Sequence, residues 1–391
     1  MPLVIRFSVQ YFVLFAVMAT MFPYFQVFLR ARGFSKPQVG YLLGLTSLAS
    51  VFGPVLIGYL ADRLGRRRGL LIACLVVFAA VLVPLSVTSL FWPAAALVIG
   101  VGFTCRTTIP LTDALASSEL SDPEHQYGKV RIWGSFGFVL TLLGIRALEL
   151  VDESSSTSMM TCMLIPTGLC VLSSLLLPDR HRRGKARGAA EDGTGHFGAV
   201  FWLFLLAAGL HQFGMSAYYS FFTLFLKEEL KMDQAAWVWA VGSAAEIPLL
   251  FYAGRVIRRF GLSAMLIASM AAVSVRLGIL ALVPPLGAIL PLQILHALCF
   301  GLFHGASIEF VRRKVPGPRR GLAMTLYMSL SLGLPTWLGS SLGGNIVERW
   351  GYPALFGAYA LVPLVGIVLV AAAGRKLNLP PRAEPPAPTG T

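Results

Sequence analysis

Residues 58–68 of the 391-residue chain read GYLADRLGRRR and lie between two long apolar stretches. Glycine at positions 58 and 65 lets helix ends approach closely. Asp62 can sit at the positive end of a neighbouring helix and pair with an arginine, while the arginine run can hold the segment at the lipid headgroups. The segment therefore predicts a short cytoplasmic loop that joins two membrane helices and can latch one arrangement of them.

Apolar stretches recur along the whole chain. The chain is 56% hydrophobic and 13% charged, its mean hydropathy is +0.73, and a soluble domain carries about 25% charged residues. A helix needs about 20 apolar residues to cross the bilayer. We therefore predict an all-α integral membrane protein with about twelve spans at residues 8–29, 38–60, 69–88, 92–116, 127–149, 156–177, 198–226, 234–253, 262–283, 286–311, 321–343 and 351–373.

The placement of the basic residues sets the orientation of these spans. A net charge of +14 would suggest a nucleic-acid partner for a soluble protein. Here 22 of the 32 Lys and Arg residues fall in loops and termini on one side of the predicted spans, and six fall on the other side. The positive-inside rule then places both termini in the cytoplasm. The basic excess indicates membrane topology and no nucleic-acid partner.

A polar segment rich in Gly and Arg divides the spans into two groups of six. We predict an N-terminal half at residues 1–177, a cytoplasmic linker at 178–197, a C-terminal half at 198–373 and a disordered Pro-rich tail at 374–391. The halves repeat weakly at an offset of 196 residues, which places Gly58 on Gly254, Gly65 on Gly261 and Asp113 on Glu309. Two similar halves around a polar cavity are a common construction of transporters.

Enzyme chemistry has no support in the sequence. The five cysteines fall inside predicted spans and lack the spacing of metal ligands. The chain shows no nucleophile–base set, metal cluster or phosphate-binding loop. We therefore predict no enzyme, no metal and no cofactor.

The loop at residues 58–68 looks like the signature G-x-L-A-D-R-x-G-R-R of the major facilitator superfamily. PLTDALA at 110–116 and YGKVRIWGS at 127–135 resemble its phenylpropionate-permease-like branch, which is close to the lactose permease group of sugar–proton symporters. The resemblance implies a monomer in the bacterial inner membrane that works by alternating access. It also implies a gating role for the loop residues Gly58, Asp62, Arg63, Gly65 and Arg66.

The same resemblance suggests which charged residues inside spans meet the substrate. Asp113 and Arg131 match a carboxylate and an arginine that contact the substrate in the lactose permease group. A structural pair near the cytoplasmic helix ends is the alternative for these two. Arg106 lies one heptad before Asp113 on nearly the same face. Since a deep arginine needs an internal carboxylate or an anionic ligand, Arg106 indicates either a pair with Asp113 or an acidic substrate.

The C-terminal half carries the second charged set. Glu246, Arg276 and His296 match residues that link substrate recognition to proton movement in the lactose permease group. The carboxylate that this group places three residues after the histidine is Cys299 here. We therefore assign proton coupling to Glu246, with Asp113 as the second candidate. A buried structural ion pair of Glu246 with Arg276, and an interhelical hydrogen bond of His296, are the alternatives.

Aromatic residues of the first and seventh helices are expected to face the cavity, where they suit an aromatic acid or a sugar ring; packing is the alternative. They are Tyr24, Phe28, Tyr218, Tyr219 and Phe222. The predicted function is proton-coupled uptake of a small organic solute, either an aromatic carboxylate or a sugar, with a nucleoside also compatible. An uncoupled facilitator, a drug–proton antiporter and a membrane receptor are the competing classes. Three arginines inside spans disfavour a cationic drug, and a receptor has no need of buried charges in both halves.

Overall fold

The computed structural model describes residues 2–178, 197–232, 235–316 and 319–378. The predicted linker lies mostly outside the described residues, as does the tail beyond residue 378. Every regular element in the described ranges is helical. The helices are α1 (Leu3–Ala31), α2 (Lys36–Leu64), α3 (Arg67–Leu85), α4 (Phe91–Glu119), α5 (Pro123–Ala147), α6 (Ser156–Leu175), α7 (Ala199–Glu228), α8 (Ala235–Phe260), α9 (Leu262–Ala281), α10 (Leu286–Lys314), α11 (320–350) and α12 (352–378).

Ten segments of the described chain are long and apolar enough to cross a membrane. The last of them, Arg320–Gly374, contains both α11 and α12, which are separated at Gly351, where φ is 81°. Helix α8 is not among the ten. The prediction of an all-α membrane protein is confirmed, whereas the count of twelve spans stays a prediction.

The predicted span limits follow the helices closely. The span predicted at 156–177 corresponds to Ser156–Leu175, and that at 262–283 to Leu262–Ala281. The largest differences are at α11, predicted at 321–343 and observed at 320–350, and at α8, predicted at 234–253 and observed at Ala235–Phe260. Arg255, Arg258 and Arg259 continue this helix beyond its apolar part. The apolar part of a helix ends where the hydrocarbon layer ends, whereas the helix itself can continue into the headgroup region.

Glycines with positive φ end α2 and α8. Gly65 follows α2 with φ 65°, and Gly261 follows α8 with φ 83°. A side chain is strained in this left-handed conformation, so glycine is the suitable residue at a helix end of this kind. Gly65 and Gly261 are the two positions that the offset of 196 residues pairs.

Helices α1 and α7 lie at the centre of the molecule. In the most apolar window of α1, 78% of residues are buried, against 28% for α2. Helix α1 packs on α5 and α6 of its own half and also meets α7, while α2 packs along α11. A helix that is apolar on all sides is expected in such an interior position. Helix α5 also packs on α8 of the other half, so the two halves meet along α1, α2, α5, α7, α8 and α11.

Candidate functional site

A chain of polar side chains crosses the interior of the C-terminal half. A guanidinium nitrogen of Arg276 on α9 lies 2.8 Å from Nδ1 of His296 on α10. Nε2 of His296 lies 2.8 Å from a carboxylate oxygen of Glu246 on α8. The other terminal nitrogen of Arg276 donates to the side-chain oxygen of Gln293. The structure thus brings the three predicted residues together and adds Gln293 to them.

The directions of these hydrogen bonds assign the tautomer of His296. Arginine can only donate, so Nδ1 must accept from Arg276 and carries no proton. The proton of the neutral ring is then on Nε2, which donates to Glu246. A proton added at Nδ1 would face the guanidinium donor and break that contact. The hydrogen bond between His296 and Arg276 is therefore sensitive to the protonation state of His296.

The members of this chain differ in their access to water. Arg276 is 1% exposed, and the side chains of His296 and Glu246 are 7% and 15% exposed. Among these ionisable residues, the carboxylate is therefore the most accessible to an incoming proton.

Tyr218 supports Arg276 from behind and does not line an open surface. The guanidinium carbon of Arg276 lies 3.7 Å from the centroid of the Tyr218 ring. The Tyr218 hydroxyl donates to Gln293 at 3.2 Å, and the residue is 1% exposed. Its neighbour Tyr219 is the more exposed of the two. Adjacent residues on a helix point about 100° apart, so the predicted substrate contact of Tyr218 is replaced here by a positioning contact.

A second polar group lies in the N-terminal half. The hydroxyl of Tyr11 on α1 donates to Asp113 on α4 at 2.6 Å. Nε of Arg131 on α5 lies 3.9 Å from the same oxygen, and the side chains of Asp113 and Arg131 are each 33% exposed. The Arg131 guanidinium also lies over the Phe15 ring, 4.3 Å from its centroid. Asp113 and Arg131 are therefore paired and partly accessible.

Arg106 stands apart from both groups. Helix α4 is interrupted after Cys105 and resumes at Thr108, with Arg106 in the turn between. Its guanidinium lies 5.5 Å from the ring centroid of Phe22 on α1, and the residue is exposed. It forms no ion pair with any described residue. The internal pair of Arg106 with Asp113, one of the two predicted alternatives, is not formed.

Phe22 belongs to an aromatic group at which the two halves meet. Its ring stacks on Trp239 of α8 with centroids 6.4 Å apart, and the Tyr219 ring lies 6.5 Å away. One turn further out on α1, the amide of Gln26 donates to the backbone carbonyl of Tyr219 at 3.2 Å. These contacts close the space between the halves on the outer side.

Tyr24 does not take part in this group, and its contact with substrate stays a prediction. The residue is 2% exposed and borders a separate cavity with Ile145, Arg146 and Glu153. Phe22 and Tyr24 are two positions apart on α1, which turns their side chains by about 200° relative to each other. The ring that meets the C-terminal half is therefore that of Phe22.

The outer ends of the halves are joined by an ion group on Glu228 of α7. Arg30 of α1 pairs with this carboxylate at 3.1 Å, and Lys36 of α2 pairs with it at 3.3 Å. The hydroxyl of Tyr352 on α12 donates to Glu228 at 2.9 Å. Just inside this group, Gly40 of α2 packs directly on the backbone of α11. The protein is thus closed on the outer side.

The loop at residues 58–68 is disengaged on the opposite side. Asp62 is bonded to Arg67 at 2.8 Å with its side chain 57% exposed. Nothing lies within 4 Å of the point where a Cβ on Gly58 would stand, so the predicted close approach there is absent in this conformation. Gly65 acts as the end of α2. The other two predicted gating residues are exposed: Arg63 and Arg66. Because the halves meet at their outer ends, the cavity between them opens towards the cytoplasm.

Sequence reasoning missed Gln293 and Tyr11, both of which are 0% exposed. Gln293 had a usable signal, because it is a polar residue in an apolar run and lies three positions before His296, close to the same helical face. Tyr11 had no such signal in the sequence, since residues on every face of α1 are buried.

Comparison with known proteins places this architecture in a family. The model of the MFS_1 like family matches residues 4–358. A maltose permease of Geobacillus stearothermophilus is 26% identical over 377 residues, covering 93% of this chain and 93% of the relative. A probable 3-phenylpropionic acid transporter of Escherichia coli (strain K12) is 26% identical over 374 residues, covering 93% of this chain and 96% of the relative.

The fold has a solved counterpart. A variant of the nucleoside transporter NupG superposes with a TM-score of 0.86 over 95% of this chain and 99% of the other. Sequence identity is 17%, so this likeness bears on the fold alone.

Proposed function

Because the chain belongs to the MFS_1 like family of membrane transporters, we propose that it takes up a small organic solute together with a proton by alternating access. The chain is a multi-pass protein of the bacterial inner membrane and not an enzyme. The candidate solutes are an aromatic carboxylate and a sugar, as suggested by the relatives. The protein acts as a monomer, with the proton gradient as its driving force.

The observation that carries the proposal is the hydrogen-bonded chain from Glu246 through His296 to Arg276. Ionisable groups inside membrane helices are costly and usually functional. The carboxyl group of Glu246, at the more exposed end, can take up a proton. Because Glu246 contacts His296 and His296 contacts Arg276, the protonation of Glu246 is connected to Arg276 through the ring. A purely structural ion pair would place Glu246 directly on Arg276, without a titratable ring between them.

The proposed mechanism uses one polar group from each half. Substrate binds between Asp113 and Arg131 on one side and the Arg276 region on the other. Glu246 takes up its proton when the cavity is open to the outside. The halves then rock to the conformation seen here, which is closed at Glu228 and open to the cytoplasm. Both the solute and the proton leave on that side.

Concentrative uptake into proteoliposomes tests this proposal. With an acidic exterior, the wild type should accumulate labelled solute above its equilibrium level. Glu246→Gln should lose accumulation and retain exchange of solute across the membrane, because the amide keeps the shape of the side chain and cannot carry the proton. Glu348→Gln, an exposed carboxylate on α11, is the matched control and should accumulate normally. Accumulation by Glu246→Gln would remove this residue from the proton path.

A further inference from the structure

Arg106 is a cation that pairs with no described carboxylate, and this limits the class of substrate that the cavity suits. Arg106 is exposed in the break of α4, and no described carboxylate pairs with it. Asp113, one heptad further along α4, is already bonded to Tyr11 and lies beside Arg131. Arginine does not lose its proton in proteins. The exposed guanidinium of Arg106, with which no described carboxylate pairs, is therefore available to bind an anion in the cavity.

The charge balance of the two polar groups gives the same result. The positive charges are Arg106, Arg131 and Arg276, and the negative charges are Asp113 and Glu246, with His296 neutral in the tautomer assigned above. One positive charge is left over while Glu246 is ionised, and protonation of Glu246 in the proposed cycle only increases this positive excess. Since Arg131 lies beside Asp113 and Arg276 is connected to Glu246 through His296, the excess charge is located at Arg106. One carboxylate on the solute would neutralise it.

The surface next to Arg106 is aromatic. Its guanidinium lies over Phe22, which stacks on Trp239 and lies beside Tyr219. These rings come from both halves and form the closed outer end of the cavity. Ring faces of this kind pack favourably against another aromatic ring. A planar guanidinium beside them matches a carboxylate with two parallel hydrogen bonds. A carboxylate and a ring on one small molecule would use both features together.

We propose that Arg106 docks the carboxylate of an aromatic monocarboxylate, whose ring packs on Phe22 and Tyr219, with the buried Trp239 behind Phe22. This rests on the proposed function and decides between its two candidate solutes. A neutral sugar, the other candidate solute, would carry no anionic group to pair with Arg106. Recognition of the carboxylate is independent of proton coupling, so the two claims are separable by experiment.

Equilibrium binding to the purified full-length chain tests this inference without any gradient. Calorimetry would compare 3-phenylpropionate with its uncharged amide, and maltose would serve as the sugar probe. The wild type should bind the acid more tightly than the amide. Arg106→Gln should weaken binding of the acid by about tenfold or more, because it removes a charge-assisted bidentate contact. Binding of the amide by Arg106→Gln should be unchanged, which also shows that the variant is folded.

Two further variants complete the design. Arg106→Lys should bind the acid with intermediate affinity, since it keeps the charge and loses the planar fork. Arg349→Gln, an exposed arginine at the outer end of α11, should bind as the wild type does. Equal binding of the acid by Arg106→Gln and wild type would overturn the proposal. So would a wild type that binds maltose or the amide in preference to the acid. Failure of proton-driven uptake with Arg106-dependent binding intact would overturn symport and support the carboxylate site.

Discussion

At the scale of single residues, Gln293 and Tyr218 hold Arg276 in one orientation. Gln293 accepts a hydrogen bond from the guanidinium, Tyr218 donates to the same Gln293 oxygen, and the Tyr218 ring covers the guanidinium face. Arg276 is 1% exposed, so water can replace little of this support. A buried charge without its partners costs several kcal/mol. The position of Arg276 relative to His296 therefore depends on Gln293.

Gln293→Leu should lower the transport rate by about tenfold or more. The substitution leaves one buried guanidinium nitrogen without its acceptor, and such a loss costs about 1–3 kcal/mol. The measurement is initial uptake, normalised to the amount of protein in the membrane. Gln212→Leu is the matched control, because Gln212 on α7 bonds to Thr336 and not to Arg276. A Gln293→Leu protein with wild-type uptake would show that Arg276 does not need this support.

Prediction from the sequence reached part of the site and stopped where helical faces become ambiguous. Glu246, Arg276 and His296 could be named because ionisable residues are rare in apolar helices, and the structure brings them together. The face of α1 that meets the cavity could not be identified, because α1 is buried on all sides and its periodicity does not mark a cavity face. Tyr218 and Tyr219 were both expected to face the cavity, and it is Tyr219 that meets the other half.

At the scale of elements, α2 and α11 form the seam that closes the protein on the outer side. Gly40 and Gly44 of α2 lie directly against α11, and Val51 reaches Gly333 further in. Residues 327–333 of α11 form a π-helical segment at the inner end of this seam. A second π-helical segment, Ala297–Leu302, directly follows His296 in α10. Such segments are frequent at functional sites, and no sequence pattern used above predicted either of them.

The ion group at the outer helix ends should favour the inward-open conformation. Glu228 joins α7 to Arg30 of α1 and Lys36 of α2. Its side chain is 28% exposed, so together these pairs contribute about 1 kcal/mol. Glu228→Gln should therefore raise the outward-open population about fivefold.

Spin labels at Val87→Cys and Leu282→Cys would measure this change as a longer distance between the outer ends of the halves. Both positions are strongly exposed, at 76% and 79%. Glu229→Gln is the matched control, because this neighbouring carboxylate is exposed and pairs with no described residue. An unchanged distance distribution in Glu228→Gln would mean that helix packing alone closes the outer side.

At the scale of the whole molecule, one conformation of a two-state transporter is visible. The outer ends are joined at Glu228 and along α2 and α11, while Asp62 is occupied by its own loop partner Arg67. In the opposite conformation, we expect the loop at residues 58–68 to meet the C-terminal half and the outer ion group to separate. Span limits and orientation could be predicted because apolar stretches match the hydrocarbon layer and basic loops favour the cytoplasmic side. The conformation could not, since both states use the same sequence.

The central claim, coupled movement of solute and proton, is tested most directly by the external pH of de-energised proteoliposomes. Wild-type vesicles in weak buffer should make the medium more alkaline when 3-phenylpropionate is added. Protein-free vesicles correct for passive entry of the protonated acid, and Glu246→Gln should add nothing beyond that correction. Labelled solute that equilibrates through the wild type with no protein-dependent pH change would contradict the account. The chain would then be a facilitator whose buried charges serve recognition and gating.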